Sequence, residues 1–144
     1  METGESTTVT VGEAPLVSVI LPIRNEAHYI TRSLGAVLAQ DYPADRMEVL
    51  VADGMSTDGT REVVESMRSG SSRVQIIDNP RRIAPTALNA AIARARGEII
   101  VRVDGHCEIE RDYVRRCVEH LRNDEVDGVG GPLQTIGESF VARG

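Results

Sequence analysis

The sequence predicts an α/β fold, three layers of helix, sheet and helix around a mostly parallel sheet. Three observations predict it. Short apolar runs rich in β-branched residues recur along the chain and read as strands buried on both faces. Stretches of helical period separate them. The connections are short, as strand–helix–strand crossovers require. With 144 residues the chain is one domain long. Its 41% apolar and 26% charged residues are ordinary globular values.

Residues 1–15, rich in Thr, Glu and Gly, read as a flexible leader, and 16–144 as the domain. Val17 to Ile23 (VSVILPI) is the first predicted strand. Residues 27–40 then turn helical, with Ile30, Leu34, Val37 and Leu38 on one face, and Asp41-Tyr42-Pro43 stops them. Met47 to Ala52 is the second strand, followed by a turn-rich loop. Thr60 is expected to cap a helix that buries Val63, Val64 and Met67. Val74 to Ile77 is a short third strand. Pro85 suits the first turn of a helix striped by Leu88, Ala91, Ile92 and Ala95, with Gly97 as its stop. Glu98 to Val103 is the fourth strand. Residues 110–122 form a helix with Val114, Cys117, Val118 and Leu121 inward, and Val126 to Val129 is the fifth strand.

Composition excludes several kinds of chemistry. All 16 basic residues are Arg, so there is no Schiff-base lysine and no Walker-type lysine. A net charge of −6 disfavours a nucleic-acid partner. Aromatics at 3% supply no base-stacking platform. Two cysteines make no disulfide scaffold, and a reduced, cytoplasmic setting is expected. No apolar run approaches the roughly 20 residues of a spanning helix, and no signal peptide is visible.

Ligands of parallel α/β sheets bind beyond the carboxyl ends of the strands, where strand order reverses. Three polar clusters stand at such ends: Arg24-Asn25-Glu26, Asp53, and Asp104-Gly105-His106. With strand order 3-2-1-4 they would be neighbours. Asp104 and His106 can face one cation, with Gly105 letting the backbone bend between them. A carboxylate with an imidazole suits Mn²⁺ or a similar ion. Asp and His are both common in turns, so the tripeptide alone carries little weight. Arg81 and Arg82 could reach phosphates or could be solvated surface charges. Cys107 is expected to point away and pack, Cys117 to be core, and His28 and His120 to be solvated.

The segments VSVILPIRNE (17–26), EVLVADGMSTDGT (48–60) and NPRRIAPTALNAAIARARGEIIVRVDGHCE (79–108) resemble the nucleotide-binding half of a family 2 glycosyltransferase of the GT-A fold. The likeness is to the bacterial exopolysaccharide enzymes of the succinoglycan type. The resemblance implies that Pro22, Ile23, Arg24, Asn25 and Glu26 line the nucleotide pocket. It implies that Asp53 hydrogen-bonds the nucleobase, and that Arg82 and Asn89 lie near the nucleotide and its diphosphate. Asp104-Gly105-His106 stands in place of the family's metal-binding D-x-D, with Asp104 and His106 as ligands of Mn²⁺ or Mg²⁺. The metal would bridge the donor's diphosphate. A UDP-sugar is the favoured donor, and a saccharide or a lipid-linked group the acceptor.

The resemblance further implies that the acceptor half and its catalytic carboxylate lie beyond Gly144. The chain is expected to be a truncated, donor-binding half, with no catalytic base of its own and a helix beginning near Glu138. Association with a second copy or with the missing half is expected, as is a place at the inner face of the plasma membrane for the full-length protein. Two other readings stay open: a module that binds nucleotide-sugar and metal without turnover, and a metal-dependent nucleotidyltransferase.

Overall fold

The computed structural model describes residues 14–69, 71, 73–124 and 139–142. Among these residues five strands and four α-helices alternate: β1 (Val17–Ile23), α1 (Ile30–Leu38), β2 (Met47–Asp53), α2 (Thr60–Arg68), β3 (Val74–Asp78), α3 (Ala84–Arg94), β4 (Ile99–Arg102), α4 (Tyr113–Asp124) and β5 (Ser139–Ala142). The sheet order is β3-β2-β1-β4-β5. The first four strands are parallel, and β5 runs antiparallel to β4, with Arg102 opposite Ser139. The strand order reverses between β1 and β4, which fixes where a ligand cleft can open. Among the described residues no helix is long and apolar enough to cross a membrane.

Side-chain alternation along β1 divides the interior in two. Val17, Val19, Leu21 and Ile23 face the larger core, beneath Leu34 of α1, Val64 of α2 and Val118 of α4. Ile20 faces the smaller one, with Leu50, Ile77 and Ile100 under Ala91 and Ala95 of the α3 segment. Helices therefore lie on both faces, as the sequence predicts, but the α3 layer is thin because alanines bring that helix close to the sheet.

The fifth strand expected at Val126–Val129 lies outside the described residues. Three local expectations are corrected. Where a helix was expected to begin near Glu138, Ser139–Ala142 is a strand. The outer edge of β4 offers an unpaired backbone ladder, and hydrogen bonds with it outweigh local preference. Thr60 does not cap α2 with its side chain. Gly59, at φ 96°, is the N-cap residue, and Asp58 accepts from the Thr60 N–H at 3.0 Å. Gly97 is not the stop of α3, which ends at Arg94. It is required by space, because a Cβ there would stand 2.6 Å from the Ser18 backbone nitrogen.

Gln40 ties α1 to α4. Its Nε2 donates to the Glu110 carbonyl at 2.6 Å, and its Oε1 accepts from the Val114 N–H at 2.8 Å. That supplies an acceptor to an otherwise unsatisfied N–H of the first turn of α4.

Candidate functional site

The tips of β1 and β2 are zipped together. The Asn25 N–H donates to Ser56 Oγ at 2.9 Å, and the Thr57 N–H donates to Asn25 Oδ1 at 2.7 Å. The Glu26 N–H donates to Thr60 Oγ1 at 2.8 Å, and the Ala27 N–H to Asp58 Oδ2 at 3.1 Å. Asn25 takes a left-handed backbone, φ 55°, a conformation Asn tolerates better than most residues. Asp58 carries part of this joint. The Thr60 hydroxyl holds its carboxyl below the usual value, with burial opposing and the Ala27 and Thr60 N–H groups helping.

Between β1, the tip of β4 and the start of α3 lies a cleft of about 190 Å³. Pro22, Ile23, Arg24 and Glu26 form one wall, and Arg102, Asp104 and His106 a second. Asn79, Arg82, Ile83, Ala84 and Ala87 complete it. Three guanidiniums and two carboxylates thus meet in one cleft. Asp104 is 15% exposed and accepts from Arg102 Nε at 2.9 Å. His106 Nδ1 lies 3.5 Å from Glu26 Oε2.

Gly105 allows this approach for a reason other than a backbone bend. A Cβ there would stand 2.8 Å from Ile23 Cγ2 and 2.9 Å from Glu26 Cγ. Its carbonyl accepts from the buried Ser33 hydroxyl at 2.7 Å, which fixes the loop to α1.

Not every residue singled out from the sequence lines the cleft. Asn25, Asp53 and Asn89 do not. Asn25 works in the zipper. Asn89 is exposed on α3. Asp53 is 1% exposed. It accepts from the Ser56 hydroxyl at 2.6 Å and the Ser56 N–H at 3.2 Å, and pairs with Arg61 at 3.4 Å. Arg61 also pairs with Asp78, so the tips of β2 and β3 share one cation.

Five lining residues were missed: Ile83, Ala84 and Ala87, which form the apolar wall, and the polar Asn79 and Arg102. Asn79 is buried; its Nδ2 donates to the Ile83 carbonyl at 2.9 Å and its Oδ1 accepts from Thr86 Oγ1 at 2.8 Å. The Asn79-Pro80 pair was the available signal, as a turn marker ahead of α3. Arg102 gave none, since it sits inside an apolar strand. The loop that Asn79 anchors carries Arg82 at φ 70°, an unfavourable backbone for Arg. Gly54 leaves room for it, because a Cβ there would lie 3.3 Å from Arg82 Cα.

The donor set suits a divalent cation. One ligand atom from each of Asp104, His106 and Cys107 lies within 4.8 Å of the others. Cys107 packs in the larger core, as expected, but it does not point away: its sulfur lies beside the other two donors. Arg102 engages one Asp104 oxygen, and a monodentate ligand needs only the other. A carboxylate and an imidazole fit Mn²⁺ and leave most coordination positions for a ligand's oxygens. Cys117 packs in the core, and His28 and His120 are exposed.

Glycosyltransferase AglE of Haloferax volcanii is 36% identical over 121 residues, covering 83% of this chain and 40% of the relative. Succinoglycan biosynthesis protein ExoA of Rhizobium meliloti is 35% identical over 123 residues, 84% of this chain and 37% of ExoA. Among solved structures, mannosyltransferase PcManGT from Pyrobaculum calidifontis, in complex with GDP-Man and Mn²⁺, superposes with a TM-score of 0.77 at 34% identity. It is matched over 85% of this chain and 37% of its own. S. aureus TarS in complex with UDP-GlcNAc superposes with a TM-score of 0.70 at 27% identity, over 78% of this chain and 33% of its own. The chain thus spans about two fifths of the curated relatives it matches. Residues 18–143 match the model of Glycosyl transferase family 2, and the chain belongs to that family.

Proposed function

We propose that this chain forms the donor-binding part of a glycosyltransferase that uses a nucleotide-diphosphate sugar and a divalent cation. The observation that carries the reading is the cleft itself. Asp104, His106 and Glu26 converge with Arg24, Arg82 and Arg102 at the carboxyl ends of parallel strands. Asp104 and His106 hold the cation, Mn²⁺ or Mg²⁺, which supplies charge to offset the diphosphate. The arginines bind phosphate oxygens, a task for which their forked donors are suited. The nucleobase end lies toward Asp53 and the zipped loop, while Asn89, exposed on α3 and outside the cleft, is given no part in holding the donor.

A UDP-sugar remains the favoured donor. The acceptor is a saccharide or a lipid-linked group, and the branch is the exopolysaccharide one. The likeness to ExoA, whose name assigns it to succinoglycan biosynthesis, supports that branch. The acceptor-side base is proposed to belong to a second half, with the whole protein working at the cytoplasmic face of a membrane. Binding without turnover is the reading that applies if this chain acts alone. Its support is the set of cleft carboxylates: Asp104 pairs with Arg102 and Glu26 faces His106, which leaves neither for an acceptor.

Calorimetry with UDP tests the reading. UDP should bind well with Mn²⁺ and weakly with EDTA. Equal affinity in the two conditions would remove the metal from the proposal.

A further inference from the structure

We infer that Arg102 is an internal stand-in for the divalent cation, holding Asp104 until metal and nucleotide arrive together and then passing to the donor's diphosphate. The inference rests on the metal reading of Asp104 and His106 proposed above.

Arg102 is the last residue of β4, and Asp104 follows two positions later. Two-residue spacing in extended chain sends side chains to the same side. The outcome is the Nε to Oδ1 contact of 2.9 Å, between a guanidinium 33% exposed and a carboxylate 15% exposed. Both groups line the cleft. The pair therefore sits where the cation must bind, and it is an ion pair that metal binding disturbs.

Charge explains why the exchange needs both ligands. With Arg24, Arg82 and Arg102 against Glu26 and Asp104, the cleft carries a net charge of +1 with His106 neutral. A divalent cation alone raises this to +3, and it faces the Arg102 guanidinium across a shared carboxylate. Like charges at such range repel. A nucleoside diphosphate, carrying close to three negative charges, cancels that excess and offers oxygens for the displaced guanidinium to grip. Arg102 thus penalises metal alone and rewards metal with nucleotide. It is a positioning residue, one that sets the order in which ligands enter.

The experiment is a Mn²⁺ titration of the full 144-residue chain, read by the EPR signal of free Mn²⁺, with and without UDP. Without UDP, R102M should bind Mn²⁺ about fivefold more tightly than wild type, the scale of a partly exposed ion pair. With Mn²⁺ saturating, R102M should bind UDP about fivefold more weakly. R102K keeps the charge and should follow wild type in the arm without UDP. R102Q removes the same charge and replaces R102M if that variant does not fold. Opposite signs in the two arms are what a merely structural role cannot produce. If the charge-removing variant leaves binding of Mn²⁺ alone unchanged or weaker, while D104N abolishes the Mn²⁺ dependence of UDP binding, Arg102 has no such role and the metal reading stands. If D104N binds both ligands like wild type, the metal reading fails and takes the Arg102 inference with it.

Discussion

Ser18 and Glu48 are cross-strand partners on β1 and β2, and the Ser18 hydroxyl donates to the Glu48 carboxylate at 2.6 Å. The same carboxylate accepts from the Arg96 N–H at 2.7 Å and from Arg96 Nε at 3.2 Å. The Gly97 N–H in turn donates to Ser18 Oγ at 2.8 Å. Four residues thus bind the turn after α3 to the first two strands, at the end of the sheet away from the cleft.

Glu48 should make stability depend on acid. Burial pushes its carboxyl up, but the Arg96 N–H, the Ser18 hydroxyl and the Arg96 guanidinium outweigh that and hold it below its ordinary value of 4.5. A carboxyl lowered on folding stabilises fully above the unfolded value, and the benefit is lost as pH falls through the folded one. Glu48→Gln should cost about 1–3 kcal/mol at pH 7. The gap between the two proteins' Tm values should close below pH 4.5. A gap that stays constant down to pH 3 would rule this linkage out.

Two glycines should fail in different ways. Gly97→Ala sets a Cβ against backbone, 2.6 Å from the Ser18 nitrogen, and should cost about 1–3 kcal/mol of stability. Gly105→Ala meets the side chains of Ile23 and Glu26 instead. It should lower Tm as well, because Ile23 is a buried core residue, and should in addition weaken UDP·Mn²⁺ binding by displacing Glu26, which Gly97→Ala should not. Thermal melts and calorimetry on both variants separate the cases.

Arg82 should trade stability for binding. Its φ of 70° is strained for a residue with a Cβ. Arg82→Gly relieves that strain and should hold or raise stability, by up to about 1 kcal/mol, while UDP affinity falls. Unchanged affinity would count Arg82 as surface.

Asp53 should serve two tasks. Losing a charge-assisted hydrogen bond costs roughly 1.5–3 kcal/mol, about 10- to 150-fold in affinity. Asp53→Asn should weaken nucleotide binding on that scale and lower Tm too, because the carboxylate also holds Ser56 and Arg61. A variant with lowered Tm and wild-type affinity would confine Asp53 to the loop.

Metal ligation predicts an order. Asp104→Asn should reduce Mn²⁺-dependent UDP binding more than His106→Ala does, since it removes the charged donor. Isothermal titration of the two variants, with Mn²⁺ and with EDTA, gives that order directly.

Hydrophobic pattern made the sheet readable. The limits of β1 stand where the apolar run from Val17 to Ile23 begins and ends, and the order 3-2-1-4 brings the three expected polar tips together. Other features depend on contacts between distant segments and leave no local mark. Nothing near Gly97 in sequence announces Ser18, 79 positions away. Thr60 looks like a cap by its neighbours, but its hydroxyl serves the Glu26 N–H, 34 positions back. Arg102 reads as an interruption of a strand until Asp104 is seen beside it. Ser139–Ala142 becomes a strand because β4 has a free side.

The thin layer under α3 has an evolutionary consequence. Ala84 and Ala87 form part of the cleft wall, while Leu21, Leu34 and Val118 of the larger core lie on the opposite face of the sheet. Enlarging either alanine reshapes the ligand's space and leaves the packing behind β1 untouched. Ligand preference can therefore drift by single substitutions in one short helix, while the bulk of the interior holds the fold constant.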